Sequence, residues 1–206
     1  MPKPIIARHD APDNAVRIAT PQDAAAFAAI YAPYVMDTAI TFEVEPPDAA
    51  EVAARLSRVS AFHPWLAYEL DGEVLGYAYG GPFKERAAYR WSVETTVYVD
   101  RNAHRRGVGR ALYGRLLAIL ALQGHHGAYG GITVPNDASI GLHEAFGFRP
   151  IGVYREVGFK LGAWRDVGFW GLQLSVPTSE PSPPIPFSEA IWVQSAKSVS
   201  PKSSPT

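Results

Sequence analysis

The chain is 206 residues long, 47% hydrophobic and 19% charged, with a formal charge of −1. Near-neutrality excludes a general affinity for nucleic acid or for an anionic membrane. The absence of cysteine excludes disulfides, thiolate metal sites and a thioester formed on the protein itself.

Residues 1–15 read as a flexible N-terminal arm. They lack the apolar core of a signal peptide, and the longest apolar run, Leu116 to Leu122, is too short to span a bilayer. A cytoplasmic protein is therefore expected. A single domain is predicted over 16–176, about 160 residues with a core of its own. Val16-Arg17-Ile18 predicts a short strand. Thr20, Pro21 and Asp23 are N-cap, first-turn proline and first-turn acid of a helix running to about Tyr34, where Pro33 should bend or end it. Thr38 to Pro47 reads as a loop that exposes Phe42, and a second helix covers about Asp48 to Ser60.

Trp65 to Leu70 and Val74 to Gly80 predict two strands joined at Asp71-Gly72, a strong hairpin signal. A polar, aromatic loop follows, Gly81 to Arg90. Trp91 to Val99 is apolar on both faces, as a central strand is. Val108, Leu112, Leu116, Ile119 and Leu120 make one helical stripe that Gly124 ends. Tyr129 to Val134 predicts a strand that Pro135 breaks. Asp137 or Ser139 would cap a short helix that stops at Gly147. Phe148 to Gly158 and Arg165 to Leu174 would be two closing strands. The Ser-, Pro- and Lys-rich residues 177–206 read as a disordered tail in which Phe187 and Trp192 could dock. The alternation of elements predicts an α/β sheet of mixed direction with helices on both faces.

The most informative segment is Glu94 to Leu112: an apolar strand, the basic loop His104-Arg-Arg-Gly-Val-Gly-Arg, and the start of a long helix. Glycines let a backbone approach a phosphate closely, and a helix N-terminus presents N–H groups to it. Leu112 stands where a dinucleotide fingerprint needs its third glycine, and the Gly-Lys-Ser/Thr of a nucleotide loop is absent. On the residues alone the loop is either an anion cradle or a solvated basic turn. His125 and His126 have no acidic partner at ligand spacing. His143-Glu144 opens like a zinc-protease helix, but Gly147 replaces its second histidine. No metal is expected.

The stretches FHPWLA (62–67), GYAYGGPFKERAAYRWSVETTVYV (76–99), HRRGVGRALY (104–113), VPNDASIGLHEAFGF (134–148) and GFKLGAWRDVGFW (158–170) together resemble the Gcn5-related N-acetyltransferase (GNAT) superfamily. Within it, they resemble most the phosphinothricin acetyltransferases. The resemblance covers about residues 16–174. It implies a mixed, mostly antiparallel sheet with a central splayed parallel strand pair, acetyl-CoA as cosubstrate, direct transfer to a small amino-acid acceptor, and a homodimer.

The same resemblance implies the site. The pyrophosphate would rest on the backbone of Arg105, Arg106, Gly107, Val108, Gly109 and Arg110. Val97, Tyr98 and Val99 would face the pantetheine arm, with Asn136 across from them. Glu94 would be the base that deprotonates the incoming ammonium, its pKa raised by burial. His143 is a candidate proton donor to the leaving thiolate, or a buried structural histidine, and Tyr98 is another possible donor. Phe42, Lys84, Arg86, Tyr89, Tyr98, Thr133 and Val167 would shape the acceptor pocket, Arg86 and Lys84 supplying cations for an acidic group. His104 and Thr133 depart from the usual residues, Thr133 standing where glycine is common.

The implied activity is N-acetylation of phosphinothricin (glufosinate), with detoxification and herbicide tolerance as its consequence. Methionine sulfone or sulfoximine, a protein N-terminus and a polyamine are alternative acceptors. A non-catalytic CoA-binding module is the alternative from another class.

Overall fold

The computed structural model of the protein describes residues 15–191. In chain order its elements are β1 (Val16–Ile18), α1 (Ala24–Asp37), α2 (Ala49–Val59), β2 (Trp65–Leu70), β3 (Glu73–Pro82), β4 (Ser92–Val99), α3 (Val108–Leu122), β5 (Gly127–Val134), α4 (Asp137–Ala145), β6 (Arg149–Lys160) and β7 (Ala163–Gln173). Within the described residues the strands make one seven-stranded sheet, ordered β1-β2-β3-β4-β5-β7-β6. All neighbours are antiparallel except β4 and β5.

The parallel pair is short. Its rungs are Ser92–Gly127, Val93–Ala128 and Glu94–Tyr129. Beyond Glu94, β4 stays in register with β3 as far as Val99, and β5 stays with β7 as far as Val134. Each strand follows its outer neighbour, so a fork opens between them. The splayed pair expected from the resemblance is present.

Alternation sorts the two faces of the sheet. Leu66, Tyr68, Ala78 and Val93 pack with the α3 stripe. Trp65, Ala67 and Tyr77 pack on the other face with Phe27 and Tyr34 of α1 and with Val52 and Leu56 of α2. The stripe residues Val108 to Leu120 are all at most 2% exposed. Asp71 and Gly72 both take positive φ, 53° and 81°, which the tight turn between right-twisted strands requires.

Three local expectations need correction. α1 passes through Pro33 and ends at Asp37, not near Tyr34. The proline removes one backbone hydrogen bond, but Tyr31, Tyr34 and Val35 on the same turns are buried under the sheet, and that burial holds the helix together. α4 is capped by Asn136, whose Oδ1 accepts the Ser139 N–H, rather than by Asp137 or Ser139. The loose tail expected from residue 177 is replaced, over 182–191, by a strap docked on the domain. Trp91 Nε1 donates to Ser182 O (2.8 Å), Gln123 Nε2 to Ile185 O (2.8 Å) and Phe187 N–H to Phe62 O (3.1 Å). A helical turn over 187–191 follows, with Ala190 buried. Residues 1–14 and 192–206, Trp192 among them, lie outside the described residues.

Candidate active site

Glu94 stands at the fork, on the last rung that β4 shares with β5. Past it, a cleft of about 90 Å³ is lined by Glu94, Thr96, Tyr98, Thr133, Asn136 and His143 among others. Burial raises the Glu94 carboxyl above its ordinary value, and Lys84 offsets part of that rise. The residue still keeps an exposed surface. A carboxylate that is open to an incoming molecule and more basic than usual is suited to accepting a proton.

Opposite Glu94, His143 is only 4% exposed. Its Nδ1 lies 2.8 Å from the Ser139 carbonyl, one turn back in α4. A carbonyl only accepts, so Nδ1 carries the proton and Nε2 of the neutral ring carries a lone pair. Burial also lowers the His143 pKa. Both facts weigh against the sequence expectation of a proton donor at this position. Burial acts the other way on Tyr98, pushing its phenol well above the usual value and keeping it protonated.

The basic loop is built for close backbone approach. Gly107 takes φ 82° at the N-cap of α3, and Arg105 takes φ 59°. The first helical bond back runs from Ala111 N–H to Gly107 O, so the amides of Val108 and Gly109 precede it. A Cβ on Gly109 would occupy the gap between Val99 and Leu142, 3.5 and 3.7 Å from them. Tyr34 donates to Val99 O (2.6 Å), and His104 Nε2 donates to the Tyr34 hydroxyl (2.8 Å). This chain of bonds ties the loop to β4 and gives His104 its role. It also engages the Val99 carbonyl, while Val97 and Tyr98 line the cleft. Asn136 lines it too while capping α4, so the capping and binding readings of Asn136 are compatible.

The residues expected to select the acceptor fall into three groups rather than one pocket. Lys84, Arg86 and Tyr89, joined by Arg90, line a second cavity of about 360 Å³ at the amino end of β4. Thr133 pairs with Val167 across β5 and β7, on the cleft side with Tyr98. Phe42 packs over Gly158 of β6, where a Cβ would clash with its ring. Lys160, buried, holds that loop by donating from Nζ to Thr41 O (2.8 Å). Sequence reasoning missed Lys160, Arg90, Phe62, His63 and the strap prolines Pro183 and Pro184, all of which border these sites. Arg90 sits in the same basic loop as Arg86, a signal that could have found it. The others are distant in sequence from what they touch.

The chain matches the acetyltransferase (GNAT) domain family over residues 16–168. It is 41% identical over 171 residues to a phosphinothricin N-acetyltransferase of Streptomyces viridochromogenes, covering 83% of this chain and 91% of that one. It is 35% identical over 160 residues to an L-methionine sulfoximine/L-methionine sulfone acetyltransferase of Salmonella typhimurium, covering 77% and 94%. Among solved structures, a phosphinothricin acetyltransferase from Sinorhizobium meliloti in complex with AcCoA aligns with a TM-score of 0.77 at 32% identity, covering 84% of this chain and 97% of that one.

Proposed function

The chain belongs to the GNAT acetyltransferase family, and from that premise we propose that it transfers acetyl from acetyl-CoA directly to the α-amine of phosphinothricin or a close chemical relative. The observation that carries the reading is the placement of Glu94 between the fork and the basic cavity. Ser92 lines that cavity, and Glu94 lies two residues further along the same face, about 7 Å away at the usual strand rise. An amino acid with its amine at Glu94 and its acidic side-chain end among Lys84, Arg86 and Arg90 spans that distance.

The residues present fit acetyl-CoA. Gly109 leaves the backbone bare beside Val99 and Leu142, the early amides of α3 precede its first helical bond, and the fork opens beyond Glu94. When bound, acetyl-CoA supplies an acetyl thioester, already activated for attack by an amine. Arg105, Arg106, Gly107, Val108, Gly109 and Arg110 would hold its pyrophosphate, and Val97 and Asn136 its arm. Glu94 would take one proton from the acceptor's ammonium, freeing the lone pair that forms the new N–C bond; the nitrogen would give up its second proton as the C–S bond breaks, and the sulfur would take up one to leave as the thiol. A thiol pKa near 8.5 makes the sulfur a competent leaving group. Tyr98 is the protonated side chain at hand for it, and His143 keeps α4 and β5 in place. Phe42, Thr133 and Val167 border the acceptor.

The Salmonella relative favours a second acceptor class, methionine sulfoximine and methionine sulfone, which share the tetrahedral oxygenated centre. A polyamine is disfavoured by the cations of the basic cavity, and a silent CoA-binding module by the raised carboxylate at the fork. Acting in the cytoplasm, such an enzyme would detoxify the herbicide. Edge strand β6 and its turn expose Ile151, Tyr154, Val157, Phe159 and Leu161, with Trp164 beside them on β7. An apolar edge of that extent supports a homodimer.

The test is initial-rate CoA release with phosphinothricin, methionine sulfone, methionine sulfoximine, spermidine and a short peptide as separate acceptors. Preference for phosphinothricin supports the first reading and preference for the sulfur compounds the second. Activity on spermidine or peptide alone overturns both.

A further inference from the structure

The basic cavity has a wall that no resemblance assigned. Pro183 and Pro184 of the C-terminal strap line it together with Lys84, Arg86 and Arg90. The strap is held at several points along its length. Trp91 Nε1 donates to Ser182 O just before the prolines, and Gln123 and Ile185 exchange two backbone-carbonyl bonds just after them (2.8 and 2.9 Å). Gln123 is 1% exposed and its Nε2 also reaches Phe62 O (2.9 Å), so one buried amide clamps the strap and the α2–β2 connection together. Pro184 is buried, its Cα 3.8 Å from where a Gly124 Cβ would lie. Proline has a fixed φ and little freedom to lose, so two in a row make a stiff surface. The same tether acts on the cations. Arg90 lies over the Trp91 ring (5.5 Å), the ring whose indole N–H holds the strap.

Resting on the acceptor reading above, we propose that the strap 182–191 is the end wall of the acceptor pocket and sets the longest acidic side chain it accepts. The cavity is lined by basic-loop residues together with Pro183 and Pro184. An acidic group reaching past Lys84 and Arg86 meets the prolines rather than solvent. The limit lies in chain length: an extra methylene that does not fit forfeits the fit of the whole side chain, a discrimination of about tenfold or more.

The experiment compares kcat/KM across a homologous series of 2-amino-ω-phosphono acids whose side chains lengthen one methylene at a time. Three proteins are compared: the full chain, a chain ending at Val176, and Pro183→Trp, at an exposed position on the cavity lining. The shortened chain is expected to move its preference to longer homologues, raising the long-to-short ratio about tenfold. Pro183→Trp is expected to move it the opposite way by a similar factor. The KM for acetyl-CoA, bound at the other end of β4, stays as in the full chain for both. Identical length profiles in folded variants overturn the inference. If the shortened chain does not fold, Pro183→Trp decides alone. A full chain that turns over none of the series, nor any acceptor of the panel above, overturns the acceptor reading and this inference with it. A full chain active with an unshifted profile in Pro183→Trp overturns only the strap.

Discussion

His143 and Gly130 touch across the gap between α4 and β5, so closely that a Cβ on Gly130 would lie 2.5 Å from His143 Nε2. The ring cannot retreat easily, because Nδ1 is bonded to Ser139 O and its faces meet Tyr113 and Phe148 edge-on at 5.0 Å each. Gly130→Ala is therefore expected to push α4 outward, costing about 1–3 kcal/mol and raising the KM for acetyl-CoA. Calorimetry and initial rates check both effects. An alanine variant with native melting temperature and native KM would show that the contact does not set the width of the fork.

Glu94→Gln is expected to lower kcat by about 10²–10⁴ while leaving acetyl-CoA affinity by titration calorimetry unchanged. The sign of the pH dependence follows from the base being active when unprotonated. Activity rises with pH through the Glu94 pKa, which burial holds above the ordinary carboxylate value. The acid limb of kcat/KM should thus lie above the usual carboxylate range and be absent from the residual activity of the variant.

The tautomer of His143 separates the two candidate donors. His143→Gln should keep kcat within about tenfold and leave the basic limb of the pH profile in place, because the ring donates to Ser139 and not to the sulfur. Tyr98→Phe, which removes only a hydroxyl, should cost about 10²-fold in kcat. The reverse ranking would restore His143 as the acid.

Acid stability should be governed in part by His125. It is 1% exposed, stacked on His63 with ring centres 5.6 Å apart, and burial lowers its pKa from 6.5 to about 4. The unfolded chain takes up the proton first as pH falls. Stability is therefore full above about pH 6.5 and is lost progressively toward pH 4, by an amount on the order of 3 kcal/mol. Urea midpoints across that window should fall steeply for the native chain and less steeply for His125→Met. Parallel slopes would exclude this histidine.

The apolar edge predicts the assembly. Phe159→Glu, at a residue 61% exposed on β6, is expected to convert a dimer to monomers in sedimentation velocity without altering the circular dichroism. A monomeric native chain would remove the homodimer reading.

Elements whose signals lie within a few residues were readable in advance. The α3 stripe, the Asp71-Gly72 turn and the glycine loop each depend on local period or local φ, and local chemistry writes those into neighbouring residues. The candidate base was legible for a related reason, since a carboxylate within an otherwise apolar strand stands out. Pro33 misled because propensity counts one lost hydrogen bond, whereas the burial of Tyr31 and Tyr34 depends on strands far along the chain. Thr41 and Lys160 are separated by 119 positions, and Trp91 and Ser182 by 91. No periodicity connects such pairs. Sequence pattern alone determined the kind of elements, the glycine loop before α3 and the family resemblance. Packing alone decided where the fork opens, which way the His143 proton points and that residues 182–191 dock beside the basic loop, because each depends on contacts between residues that only the folded chain brings together.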